Sequence, residues 1–150
     1  MAALAIAASA ACSAQTPTAA EINAGAQAGL QTVPLTIRSA NGAHRFKVEI
    51  ARTPEQQSTG MMFRQSTPPD HGMIFPYAPA QEVAFWMRNT LIPLDMIFVR
   101  ADGTIANIEA NTVPYSEVPV PSAGPVGAVL ELAGGRSAEL GIKPGDKVKW

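Results

Sequence analysis

A single aspartate interrupts an otherwise apolar run, Leu94-Asp95-Met96-Ile97-Phe98-Val99. So apolar a segment reads as a buried strand, and an ionised carboxylate inside it is expensive. Left unpaired, a buried charge costs several kcal/mol or gives up its ionisation. Any fold open to this chain must therefore bring a partner to Asp95. A second apolar run, Val83–Met87, lies just upstream, with Arg88, Asn89 and Thr90 as a polar corner between them. The stretch reads as strand, tight connection, strand. Glu131 poses the same problem inside Ala128-Val129-Leu130-Glu131-Leu132.

The remaining elements are short. Leu35–Ser39 and Arg45–Ile50 alternate around Asn41-Gly42, a hairpin turn signal, with Phe46, Val48 and Ile50 on one face. Thr53-Pro54-Glu55-Gln56 starts a helix: Thr53 caps, Pro54 suits the first turn, and Gln56 completes a capping box. That helix runs to about Met62, with Gly60 near its end, where a missing side chain permits close packing on a sheet. Residues 71–75 read as a strand, 76–81 as a loop and Thr104–Asn111 as another strand. The four prolines at 114, 119, 121 and 125 mark a long surface loop or edge-covering arm. A second helix, Ser137–Leu140, ends at Gly141, and Lys147–Trp150 forms the last strand. Thirteen prolines and twelve glycines favour many turns over a helical bundle. The expected fold is α+β, mainly β: a small, partly open β-barrel of seven or eight short strands with two short helices.

Met1 to Ala11 is small and apolar, too short for the roughly 20 residues that span a bilayer. It resembles the core of a secretory signal without its basic start. Ser9-Ala10-Ala11-Cys12 is similar to a bacterial lipoprotein cleavage box, with Ser9 where Leu is usual and Cys12 as the lipidated residue. The alternatives are a plain cleaved signal ending near Ala14 and a disordered N-terminus. Cys12 is the only cysteine, so no internal disulfide forms. The expected organisation is a signal-like segment over 1–14, a flexible tether over 15–32 and one domain over 33–150. A net charge of −1 offers no basic field for nucleic acid, so contact with a membrane is expected only through a lipid anchor. The corresponding location is the periplasm, or the outer membrane for a lipoprotein, with a monomeric domain.

Several blocks carry a resemblance: Gly60-Met61-Met62-Phe63-Arg64, His71-Gly72-Met73-Ile74-Phe75, Phe85-Trp86-Met87-Arg88-Asn89-Thr90, Pro93-Leu94-Asp95, Leu130-Glu131-Leu132 and Gly141–Asp146. In order and wording the chain resembles the domain-of-unknown-function 192 family from about Leu35 to Trp150. Arg88 stands where that family commonly has Lys, which keeps the charge. The resemblance implies a compact, barrel-like β-rich domain, commonly exported in bacteria, and implies no reaction.

Arg64, His71, Trp86, Asn89, Thr90, Asp95 and Glu131 are the polar or amphipathic residues of these blocks. Read structurally, Arg64 pairs with Asp95 or Glu131, while Asn89 and Thr90 bond their own turn. Read functionally, the seven converge in a cleft with Trp86 and Phe75 as an aromatic wall, suited to a sugar, a cell-wall fragment or another small polar ligand. A third reading is periplasmic copper(I) binding by Met61, Met62, Met73, Met87 and Met96 with His71 and Trp86, because soft thioethers select that ion. The competing explanation is that Met fills core gaps. A glycan hydrolase would use Asp95 and Glu131 as a carboxylate pair about 5–10 Å apart across one cleft. No Gly-x-Ser-x-Gly elbow, phosphate loop or zinc spacing is present, and neither catalytic residues nor a cofactor are expected.

Overall fold

A computed structural model describes residues 25–150. The signal-like segment, Cys12 and the first part of the expected tether lie outside the described residues. Among the described residues nine strands and two short helices follow one another: β1 (Thr32–Ser39), β2 (Gly42–Ile50), α1 (Pro54–Thr59), β3 (His71–Gln81), β4 (Ala84–Phe85), β5 (Leu94–Val99), β6 (Ile105–Glu109), β7 (Val120–Pro121), β8 (Val126–Ala133), α2 (Arg136–Leu140) and β9 (Lys147–Lys149). Seven strands form one sheet in the order β6-β5-β8-β3-β2-β1-β9. Its neighbours run antiparallel except β2 and β3, which are parallel and joined through α1. The sheet curls until its edges meet: Thr104 bridges Lys147, and the Val148 N–H donates to the Gly103 carbonyl. The fold is the expected one, mainly β with the architecture of a partly open barrel.

The central strands are covered on both faces, which explains their unbroken apolar runs. All six residues of β5 are buried. One face carries Ile37, Val48, Ile74, Ile97, Leu130 and Leu132 around the barrel interior. The other carries Met73, Phe75, Met96, Phe98 and Val129, roofed by Met61 and Met87. Both acids sit at this doubly buried centre, Asp95 at 0% and Glu131 at 4% exposure.

Helix α1 starts as its residues dictate. The Gln56 N–H donates to Thr53 Oγ1 while the Gln56 side chain accepts from the Thr53 N–H, closing the capping box. It stops at Gly60, whose φ of 47° is left-handed and whose missing Cβ would sit 3.3 Å from the Phe75 ring. The helix is thus pressed onto β3 and ends three residues earlier than the expected Met62. Thr53→Ala should lower stability by about 1 kcal/mol in urea denaturation, the usual worth of an N-cap side chain.

Three local expectations are corrected. Residues 76–81 continue β3 past an irregularity between Pro76 and Gln81, with a cis Ala78–Pro79 bond, instead of forming a loop. Val83–Met87 does not pair with Leu94–Val99: only Ala84 and Phe85 are extended, and they pair with β7 inside the proline-rich arm. The arm needed a partner strand, and β5 was already paired on both sides by β6 and β8. The turn between β1 and β2 is Ala40-Asn41, one residue earlier than the Asn-Gly signal, since Ser39 pairs with Gly42. Ahead of β1, Gln27 is pinned to the body, its amide donating to the carbonyls of Gln56 and Gly60 at 2.9 and 2.8 Å. No helix among the described residues is long and apolar enough to cross a membrane.

Candidate functional site

Asp95 has its partners, and they are backbone amides. Its Oδ1 accepts from the N–H groups of Asn111 (2.7 Å) and Gly135 (2.8 Å), and its Oδ2 from Ser137 (2.6 Å). Gly135 takes a left-handed φ of 84° at the N-cap of α2, which turns its N–H toward the carboxylate. No cap side chain satisfies this helix start, so Asp95 does so from across the fold. The expected Arg64 partnership is not formed. Arg64 pairs with Glu49 on β2, and its Nη2 donates to the Gln27 carbonyl at 3.1 Å. The guanidinium belongs to a clamp between β2, the segment after α1 and the residues ahead of β1.

Register also separates the two carboxylates. In the β5–β8 ladder Met96 lies opposite Glu131 and Asp95 opposite Leu132. Cross-strand partners share a face and successive residues alternate, so Asp95 and Glu131 point to opposite sides of the sheet. They do not flank one cleft, and the carboxylate-pair hydrolase loses its geometry.

Glu131 opens onto a cleft of about 290 Å³ on the methionine-rich face. Its walls are the end of α1 and the following turn (Gln57 to Met62), Phe75 and Tyr77 from β3, and Ala84, Phe85, Trp86 and Thr90. Phe75 and Phe85 meet edge to face with centroids 5.0 Å apart. Trp86 is 46% exposed at the mouth, with the Arg88 guanidinium 5.5 Å from its ring centroid and Arg88 in turn 3.7 Å from Glu117. No Lys, Arg or His lines the cleft. Among the described residues no donor reaches the Glu131 carboxyl. Burial pushes it up to about 8, with the Arg64 charge pulling weakly the other way. Glu131 is therefore a neutral carboxylic acid at pH 7, able to donate as well as accept. Tyr77 is raised to about 12 by its own burial and then by the Glu131 charge.

Of the seven residues singled out by sequence, Trp86, Thr90 and Glu131 are brought together, with Phe75 as the anticipated aromatic neighbour. Asn89 lies beside them in a left-handed turn (φ 54°), its carbonyl accepting from the Phe63 N–H and its amide donating to Met62 Sδ at 3.8 Å. Thr90 Oγ1 bonds the Arg88 carbonyl at 3.2 Å, as a turn residue does. His71 is half exposed and bonded to Asp70 at 2.8 Å, outside the cleft. Tyr77, Phe85 and Gln57 were not anticipated. Tyr77 lies in what reads as a loop, and Phe85 belongs to a strand assigned to the wrong partner. Met61, Met73, Met87 and Met96 are core residues. The sulfurs of Met73 and Met87 accept side-chain hydrogen bonds from Gln27 and Thr112, the role of Met as an adaptable gap filler. Among the described residues no group of three or more His, Cys, Asp or Glu could hold a metal ion.

The comparisons agree with this architecture. A crystal structure of a protein of unknown function from Novosphingobium aromaticivorans is 49% identical, covers 91% of this chain and 99% of its own, and has a TM-score of 0.79. A Sinorhizobium meliloti protein described as a candidate transcription regulator is 40% identical over 82% of this chain and 96% of its own, also with a TM-score of 0.79. A search of curated proteins finds no match. The family model for DUF192, described as an uncharacterized ACR, matches residues 36–150, essentially the whole barrel and every wall of the cleft. The chain belongs to the DUF192 family.

Proposed function

We propose that this protein is an exported, envelope-tethered module that binds a small organic ligand in the cleft above Glu131. The observation that carries the reading is Glu131 itself: a buried carboxyl, without a bonding partner among the described residues, open to an aromatic-walled cavity. Buried polar groups are nearly always satisfied, so a carboxyl at a cavity floor with no partner among the described residues suits a ligand that completes it. Trp86, Phe85, Phe75 and Tyr77 supply flat apolar contact, while Thr90 and the Gln57–Thr59 segment supply polar edges. Export and tethering rest on the apolar Met1–Ala11 segment and the Cys12 box. The ligand class is non-anionic, because the only ionisable groups on the walls are an acid and a phenol.

Thermal-shift screening of the full chain against neutral, cationic and anionic small molecules tests this. Hits should fall among the first two classes. Trp86→Ala should weaken such a hit by about two- to tenfold, the order of one lost aromatic contact. Its own stability should change by less than about 1 kcal/mol, because the ring is half exposed. A shift that survives Trp86→Ala unchanged would put the ligand elsewhere and sink the proposal.

A further inference from the structure

We infer that the cleft takes the ammonium group of a small organic amine, seated against the Glu131 carboxylate among the rings of Phe75, Tyr77, Phe85 and Trp86. The inference rests on the ligand-binding reading above and names its ligand. Four aromatic residues and one acid, with no base on the walls, form a site complementary to an organic cation. Aromatic faces attract cations more strongly once water is excluded, and an ammonium is a donor-only group that suits an acceptor with no donor among the described residues. Trp86 already serves this way toward solvent, where it holds the Arg88 guanidinium. A neutral ligand would use the rings only for dispersion, and an anion would meet an acid.

The charged and titratable groups around Glu131 are few. Tyr77 faces it from β3, and the charge of Arg64, from the segment after α1, acts on it while the guanidinium itself pairs with Glu49 on β2. Asp95, the acid on neighbouring β5, faces the other side of the sheet. Since burial holds the proton on Glu131 up to about pH 8, an incoming ammonium displaces it. The carboxyl O–H breaks, the proton leaves to solvent, and the ammonium pairs with the carboxylate. A free amine would instead take that proton onto its nitrogen. Affinity for the cation should therefore rise about tenfold per pH unit below 8 and level off above it.

Calorimetric titration of the full chain with benzylamine, benzyl alcohol and benzoate, in two buffers of different ionisation heat at pH 7, reads both affinity and proton release. Benzylamine should bind best and release close to one proton. Benzyl alcohol should bind more weakly and release none. Glu131→Gln, nearly isosteric with the protonated acid, should abolish the proton release and the preference for amine, with its melting at pH 6 verifying the fold. Benzyl alcohol equal to benzylamine, or benzoate the best of the three, overturns the ammonium site and leaves a small-ligand cleft standing. If no compound binds, or if Trp86→Ala leaves benzylamine binding untouched, both readings fall.

Discussion

Asp95→Ala should destabilise the domain by ~3–9 kcal/mol, on the basis of roughly 1–3 kcal/mol for each buried donor left without an acceptor. Three such donors depend on this one carboxylate: the N–H groups of Asn111, Gly135 and Ser137. They tie the end of β6 and the start of α2 to β5. Arg64 could not take its place, since a guanidinium has no acceptor to offer these N–H groups and is itself bonded to Glu49 and the Gln27 carbonyl. Asp95→Asn should fall between wild type and Ala. Its oxygen can replace Oδ1 toward Asn111 and Gly135, but its amide then faces the Ser137 N–H, donor against donor. Urea denaturation measures all three proteins. A loss below about 1 kcal/mol for Asp95→Ala would refute the account, because that is no more than one ordinary hydrogen bond. Where the variant is still folded, ligand affinity at the cleft should be unchanged, because Asp95 faces the opposite side of the sheet from Glu131.

Stability should also fall as pH rises from about 5 to about 8, and Glu131 sets the sign. Its unfolded value is 4.5, and burial raises the folded value to about 8. Between those limits the native state holds a proton that the unfolded state has released, so raising the pH favours unfolding. The stabilising difference is fully present below 4.5, shrinks through the window and is gone above the folded value. At ~1.4 kcal/mol per unit of difference, the loss amounts to a few kcal/mol. Other shifted groups do not confuse this window. Glu55, Asp70 and Asp102 are lowered by hydrogen bonding, so their contribution changes only at lower pH. Tyr77 acts only above 10. Glu131→Gln should flatten the pH dependence and make the variant the more stable protein at pH 9. A wild-type stability that is level or rising from pH 5 to 8 would show that Glu131 ionises freely and is not the buried acid on which the cleft depends.

The two acids are accommodated in different ways. Both were conspicuous in sequence, as charges set in apolar strands. That each would be buried followed from its neighbours alone. Which partner each would find did not follow. A guanidinium is visible in a sequence, so Arg64 was the natural choice for Asp95. A backbone N–H belongs to every residue except proline and marks nothing. The three amides that do the work lie 16, 40 and 42 positions away in the chain, gathered only when β6 ends and α2 begins beside β5. Glu131 received no partner at all among the described residues, a consequence of where the cleft opens and of Arg64 being held elsewhere.

The order of short strands, the Thr53 capping box, the helix end at Gly141 and the mainly β class were determined by the sequence, because alternation, caps and turn chemistry act over a few residues. Trp86, Thr90 and Glu131 were likewise marked as candidates by their setting. The pairing of β4 with β7, the continuation of β3 to Tyr77 and beyond, and the opposed faces of Asp95 and Glu131 were decided only by tertiary structure. A strand pattern says which residues are to be buried but not against which neighbour, and a shift of one residue sends a side chain to the other face of the sheet.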